Sequence, residues 1–456
     1  MKQVENIIIG FGKGGKTLGG ALASAGQDTV LIERSPQMYG GTCINIACIP
    51  TKTLEHSARL SKAIGGGFAE KAGRYTQAVA EKRALVGKLR QKNYNKAVSS
   101  GVQVIDGEAS FVDDHTVEVR HADGSSEQIR GERIFINTGS VPFIPPIEGV
   151  KGNPHVYTSD SMMERDALPQ QMVIIGGGYI GLEFASYYNN FGSDVTIIQD
   201  GDLFIPREDR QIADEVFKDM KARGIRILKN TKTRAVRDTG EQAQVDIEGP
   251  DGVQTLTADA VLVATGRRPA LAGLKPENAG VELNGRGAVK TDEYLRTSVP
   301  HIWAMGDVAG GLQFTYVSLD DSRIVKDQLL GHEDRNTDNR GEIPYTVFID
   351  PPMSRVGMTE DEAVEKGYAV KTALLPAAAI PKANVMRKPQ GLLKAIINGD
   401  NDQILGVHLY CAESQEMINL IKLAMDAGIP YTVLRDNIYT HPTMSEALND
   451  LFAAVR

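Results

Sequence analysis

The stretch Val4-Glu5-Asn6-Ile7-Ile8-Ile9-Gly10-Phe11-Gly12-Lys13-Gly14-Gly15 decides the fold. A short apolar run leads into G-x-G-x-x-G, and an Ala/Leu-rich helical pattern follows through Ala25. A second strand pattern, Thr29 to Ile32, ends in Glu33. Gly10, Gly12 and Gly15 allow the backbone to approach a pyrophosphate at the helix N-terminus, and the Glu33 carboxylate can take ribose hydroxyls. The glycines alone would fit any tight βα turn. With strand, helix and acid all in order, they point to a dinucleotide site.

The unit occurs twice. Val173-Ile174-Ile175 leads into Gly176-Gly177-Gly178-Tyr179-Ile180-Gly181, then a helix containing Glu183 and a strand from Val195 to Ile198. Gly176, Gly178 and Gly181 are the fingerprint glycines. Gln199 follows the strand, with Asp200 beside it. An acid there favours the free 2′-hydroxyl of NAD, whereas a basic residue accommodates the phosphate of NADP. Gln199 does neither firmly, and Asp200 leans the reading towards NADH. Arg207 is a phosphate partner or a solvated surface arginine.

Between the units stands Gly40-Gly41-Thr42-Cys43-Ile44-Asn45-Ile46-Ala47-Cys48-Ile49-Pro50-Thr51-Lys52. The five-residue step from Cys43 to Cys48 is expected to set both thiols on one side of the first turns of a helix. The helix N-terminus favours thiolate over thiol. This suits a reversible redox dithiol, the alternative being two buried cysteines that never pair. Three cysteines in 456 residues make no disulfide scaffold and fit a reducing compartment. No second cysteine pair or nearby histidine cluster accompanies them, so no metal site is expected. The length implies several domains, and a net charge of -8 gives no nucleic-acid footprint. No run reaches the length of a membrane span, and Met1 to Gly12 does not read as a secretory signal. A cytoplasmic protein is expected.

Residues 53–100 read as helices broken at Gly65-Gly66-Gly67, and 102–136 as short strands. A strand ends in Asn137-Thr138-Gly139, and Pro142, Pro145 and Pro146 mark a domain crossing. Val261 to Gly266 mirrors that segment. The strand from Ile302 ends in Gly306-Asp307, where an aspartate points into the ligand crevice of an open α/β sheet or caps a helix. After a polar linker at 331–343, strands at 345–349, 369–374, 392–398 and 404–410 and helices near 359–366 and 412–427 indicate an α+β domain. The tail carries Tyr439-Thr440-His441-Pro442-Thr443-Met444-Ser445-Glu446.

Two dinucleotide units, a close cysteine pair and a terminal His-Pro-Thr segment in this order resemble the flavin-dependent pyridine nucleotide–disulfide oxidoreductases over essentially the whole chain. The resemblance implies an α/β fold with two Rossmann-like domains and a C-terminal α+β dimerisation domain. Residues 1–143 with 266–335 would bind FAD, 144–265 would bind NADH or NADPH, and 336–456 would form the subunit interface. FAD would meet Gly10, Gly12, Gly15, Glu33, Gly41, Thr42, Lys52, Thr138, Gly139, Asp307, Phe314 and Thr315. NAD(P)H would meet Gly176, Gly178, Tyr179, Ile180, Gly181, Glu183, Gln199, Asp200 and Gly266. Cys43 and Cys48 would form the redox disulfide, with Cys48 the thiolate against the flavin and Cys43 the interchange thiol. Lys52, paired with Glu183, would stand at flavin N5. His441, oriented by Glu446, would be the acid/base supplied across a homodimer.

The runs Gly310 to Tyr316, Asp350 to Gly357 and Pro206 to Arg210, with Ile44-Asn45-Ile46 inside the cysteine motif, resemble the reactive-chlorine-resistance branch. That implies reduction of a small oxidant, hypothiocyanous acid above all. The alternatives are copper(II) or mercury(II) reduction, lipoamide dehydrogenase activity, or a flavin-binding component of a larger assembly. No cysteine lies in the tail Ala447 to Arg456, which disfavours mercuric reductase. Ala47 replaces a usual glycine and is expected to stiffen the loop, and Cys411 is expected to be buried.

Overall fold

The computed structural model describes residues 1–456. The chain forms two compact units, one of Met1–Thr53, Ala78–Phe143 and Gly266–Arg340, the other of Leu54–Gln77, Ile144–Thr265 and Gly341–Arg456. No helix is long and apolar enough to cross a membrane.

The first unit is built on β1 (Lys2–Ile9), α1 (Lys13–Ser24), β2 (Thr29–Glu33), α2 (Thr42–Asn45), the start of α3 (Cys48–Ile64), most of α4 (Phe68–Ser99), β3 (Gln103–Asp106), β4 (Glu108–Phe111), β5 (Thr116–Arg120) and β6 (Ser126–Ile136). The sheet order is β3-β2-β1-β6-β5-β4. The strand Ile302–Ala304 also pairs with β6, parallel, Ile302 opposite Ile134. β1 lies parallel to both β2 and β6, and Ile7, Ile8 and Ile9 are all buried. A continuous apolar run is what a parallel strand covered on both faces needs. The carboxyl ends of β1, β6 and Ile302–Ala304 lead to Gly10, Asn137-Thr138-Gly139 and Gly306-Asp307, the crevice where open α/β sheets bind ligands.

The second unit repeats the motif. Its parallel sheet runs, in spatial order, 226–228, 194–198, 171–175, 260–263 and 156–157. A three-stranded meander, 232–238, 243–249 and 252–258, completes it. Residues beyond the linker form a five-stranded antiparallel sheet in the order 345–347, 353–357, 404–410, 392–398 and 370–376. The strand Met353–Gly357 and the helices Pro381–Val385, Tyr431–Arg435 and Ala447–Ala453 were not expected from the sequence. Pro351 and Pro352 just before that strand mask it, and the three helices run only five to seven residues, too short to show a period. Cys411 lies fully buried in the apolar core of this sheet.

The cysteine stretch departs from the expected single helix. Cys43 lies on α2, Cys48 opens α3, and Ile46 breaks the helix with φ -140°. On one straight helix a five-residue step turns the side chains about 140° apart. The break brings the two thiols together.

Candidate active site

Gly41 precedes α2 with φ +78°, and a Cβ there would stand 2.6 Å from Gly12 Cα. The cysteine segment therefore crosses directly over the glycine turn after β1. Asn45 holds the crossing, its amide donating to the carbonyls of Tyr39 (3.0 Å) and Gly41 (2.9 Å).

The two cysteines are not joined in a disulfide, and both are partly buried. They are hydrogen-bonded to one another, and the Thr315 hydroxyl also bonds Cys43. Thr315 Oγ1 lies 3.4 Å from Cys48 Sγ. The bond to Cys48, with burial, pushes the Cys43 thiol well above the ordinary thiol range. Cys43 therefore keeps its proton and can donate it towards Cys48. Thr315 opens the helix Thr315–Leu330, so the sulfurs face the positive end of that helix dipole as well as the start of α3.

Asn137 ties the glycine turn together. Its Oδ1 accepts from Gly15 N–H (2.8 Å), and its Nδ2 donates to the Met305 carbonyl (2.7 Å) and the Ser318 hydroxyl (3.3 Å). A Cβ on Gly12 would stand 2.4 Å from Asn137 Oδ1, so no side chain is tolerated there. Glu33 is buried and accepts from Phe11 N–H (2.9 Å) and Ser35 N–H (3.2 Å); burial raises its pKa. Ser140 Oγ donates to Asp307 Oδ2 at 2.6 Å, and Arg267 Nε donates to Ser140 Oγ at 2.8 Å. Asp307 therefore makes no helix cap and is oriented by Ser140. Two residues before Ser140, Thr138 Oγ1 is buried with no hydrogen-bond partner. An uncapped helix N-terminus at Gly12, a backbone cradle that a Cβ would fill, and this orphaned hydroxyl fit the adenosine and pyrophosphate parts of a dinucleotide.

Lys16, Asn137 and Ser140 escaped the sequence reading. Lys16 Nζ donates to the Gly40 carbonyl (3.2 Å) and Asn93 Oδ1 (2.5 Å) beside the cysteine segment. Burial above all, then the Lys13 charge, pulls its pKa down to about 8. Asn137 had a signal, the polar residue ending an apolar strand before Thr-Gly; Lys16 and Ser140 had none. Lys52 lies one helical turn after Cys48 on α3.

In the second unit Gly178 caps the helix Tyr179–Phe191 without a side-chain bond, and the space beside it is open. Gln199 Nε2 donates to the carbonyls of Gly201 (3.2 Å) and Leu203 (2.6 Å), while its Oε1 is buried without a partner. That amide packs on Gly177, and Asp200 beside it is exposed. The open turn and the orphaned carbonyl oxygen fit a second dinucleotide. The Tyr179 hydroxyl donates to Glu208, which also accepts from Tyr345 at 2.7 Å. Glu183 Oε1 accepts from Phe348 N–H at 2.8 Å. His441 Nδ1 lies 2.7 Å from Glu446 Oε2, while Glu446 Oε1 accepts from Thr443 N–H at 3.3 Å. The carboxylate fixes Nδ1 as the protonated nitrogen, and the ring is 70% exposed with Nε2 free to exchange protons.

The sequence profile of the pyridine nucleotide-disulphide oxidoreductases matches residues 4–322, and that of their dimerisation domain matches residues 343–452. The chain belongs to this family. Its cofactors are FAD and NAD(P)H, and it is a flavoprotein disulfide reductase by class. It is 49% identical, over the whole of both chains, to the probable pyridine nucleotide-disulfide oxidoreductase RclA of Escherichia coli strain K12. Mercuric reductase of Staphylococcus aureus is 33% identical over 97% of this chain and 81% of its own length. A solved structure described as the Cu(II) complex of the HOCl-induced flavoprotein disulfide reductase RclA from Escherichia coli superposes with a TM-score of 0.93, at 49% identity and covering 99% of each chain. The family's dimerisation domain is present as expected from the sequence, with Met353–Gly357 as an additional strand of its sheet.

Proposed function

We propose that this enzyme uses NAD(P)H to reduce a small electrophilic oxidant, hypothiocyanous acid or a related reactive chlorine species, through Cys43 and Cys48. One observation carries the reading: two thiols and the Thr315 hydroxyl share one hydrogen-bonded cluster between two helix N-termini. The full-length likeness to an HOCl-induced reductase supports the substrate class. FAD, when bound, accepts hydride equivalents from NAD(P)H and returns the Cys43–Cys48 disulfide to the dithiol. The glycine turn, Glu33, Thr138, Gly139, Asp307, Phe314 and Thr315 would hold it, with Lys52 at its reacting edge. Gly176, Gly178, Tyr179, Ile180, Gly181, Glu183, Gln199, Asp200 and Gly266 would hold the nicotinamide nucleotide, with NADH favoured. We divide the chain into 1–143 with 266–335 for FAD, 144–265 for NAD(P)H and 336–456 for the dimer interface, and place the enzyme in the cytoplasm.

The chain's own residues perform the rest. His441 of a second copy, held by Glu446, takes the Cys43 proton. The Cys43 thiolate attacks the sulfur of hypothiocyanous acid, and the S–O bond breaks. Hydroxide leaves as water by taking the proton back from His441. The Cys48 thiolate then attacks the Cys43 sulfur, expelling thiocyanate and closing the disulfide. One two-electron oxidant is reduced per dithiol oxidised. A small electrophile needs access, a thiolate and a proton donor, but no shaped pocket.

The test is NAD(P)H oxidation by Cys43→Ser and His441→Ala. Cys43→Ser should abolish turnover with hypothiocyanous acid, and His441→Ala should slow it on the order of 10²-fold. Survival of oxidant turnover in Cys43→Ser would sink the thiol mechanism. Copper(II) is the second reading, favoured by the copper complex of the E. coli protein. A copper(II) reductase would prefer that ion by kcat/KM over hypothiocyanous acid.

A further inference from the structure

We infer that Asp114, His115 and His301 form a surface site for a borderline divalent transition-metal ion of the Zn²⁺ or Cu²⁺ type, apart from the cysteine pair. Nothing local in the sequence points to it, because His301 lies 186 positions after His115. Both are brought to the same strand. His115 lies in the β4–β5 turn, its N-terminal end fixed by Asp113 Oδ1, which accepts from His115 N–H (2.9 Å) and Thr116 N–H (2.7 Å). The His115 carbonyl accepts from Gly131 N–H of β6 at 2.9 Å. His301 directly precedes the strand Ile302–Ala304, and its carbonyl accepts from Ile134 N–H of β6 at 3.0 Å. The backbones of both histidines are thus held by hydrogen bonds to one strand.

The donor set suits such an ion. One ligand atom from each of the three residues falls within 4.8 Å of the others. Two bonds of about 2.05 Å at a tetrahedral ion place their nitrogens about 3.3 Å apart, so binding has to turn the two rings out of their parallel stack until both planes meet at the ion. His115 Nδ1–H donates to the Gly131 carbonyl at 2.8 Å, and His301 Nε2–H donates to the Asp114 carbonyl at 2.9 Å. Each bond fixes one tautomer and leaves the other ring nitrogen as a lone-pair donor, the usual outer-shell support of a metal-binding imidazole. The rings stack with centroids 3.9 Å apart and planes within 4°. Asp114 is exposed and both histidines are half-buried, so the site is open to solution. Two imidazoles and one carboxylate select a borderline ion over magnesium or calcium.

His301 precedes the strand whose other end leads to Gly306, and Asp114 stands two residues before Thr116, which pairs with Arg130 in the middle of β6 and not at its Asn137 end. The ion is therefore assigned to bracing β5, β6 and Ile302–Ala304, not to electron transfer. The test uses FAD-loaded protein carrying Cys43→Ser and Cys48→Ser, which removes competing thiols. Zinc binding is read by competition with a chromophoric chelator, and the melting temperature is recorded with and without zinc. One zinc per chain is expected, with a rise in melting temperature. Adding His301→Asn, or separately His115→Gln, should weaken binding at least about 100-fold and remove the rise. FAD content and the zinc-free melting temperature check that each variant is folded. No stoichiometric zinc in the parent protein, or zinc retained undiminished in both histidine variants, would overturn the assignment.

Discussion

Thr315→Val tests how the dithiol is poised. Thr315 Oγ1 stands 3.4 Å from Cys48 Sγ, and valine keeps the branched shape while removing the hydroxyl. When Cys48 is a thiolate, Thr315 can only donate to it. A hydrogen bond to a charged acceptor contributes about 1.5–3 kcal/mol. Sulfur is a soft, distant acceptor here, so the low end applies. At 1.36 kcal/mol per pKa unit, the Cys48 thiolate pKa should rise by about one unit. The assay is the pH dependence of iodoacetamide alkylation in the FAD-loaded Cys43→Ser background. There Cys48 is the accessible thiol, since Cys411 is fully buried. Thr315→Ser should restore the parent value, because the hydroxyl returns. A shift below about 0.3 unit, or an equal shift in Thr315→Ser and Thr315→Val, would refute the argument that this hydroxyl sets the thiolate.

His408 predicts acid sensitivity. It is fully buried, donates Nε2–H to the Met358 carbonyl at 3.0 Å, and is pushed down to about 4 by burial first and then by the Arg355 cation. Between its ordinary pKa and 4 the unfolded chain binds the extra proton, so stability should fall as pH drops from about 6.5 to 4, by at most about 3 kcal/mol. Melting temperatures at pH 7 and 5 should differ less in His408→Gln; an unchanged difference would exclude His408 as the cause. Gln199→Glu should shift the kcat/KM ratio further towards NADH, since a carboxylate repels a 2′-phosphate; a shift towards NADPH would contradict the placement of that site. Glu446→Gln should cost turnover, though less than His441→Ala, because the carboxylate that accepts from Nδ1–H and orients the ring is gone. Full activity in Glu446→Gln would show that the 2.7 Å contact does not hold His441 in its working orientation.

The sequence by itself determined what depends on local pattern. Apolar strands ending in spaced glycines specified both nucleotide units, because only glycine admits the backbone crossing that Gly12 and Gly41 make. His441 and Glu446 are five residues apart, and their pairing at 2.7 Å needed only a tight turn. Tertiary structure decided everything joined across long loops. Thr315 meets Cys48 across 267 positions, Ser140 meets Asp307 across 167, and His301 stacks on His115 across 186. Such contacts leave no period in the sequence, because each depends on which strands share β6 and where their ends fall. The cysteine pair lies between these cases. Its spacing was visible, but its geometry arises from the helix break at Ile46, which the crossing over the glycine turn accompanies.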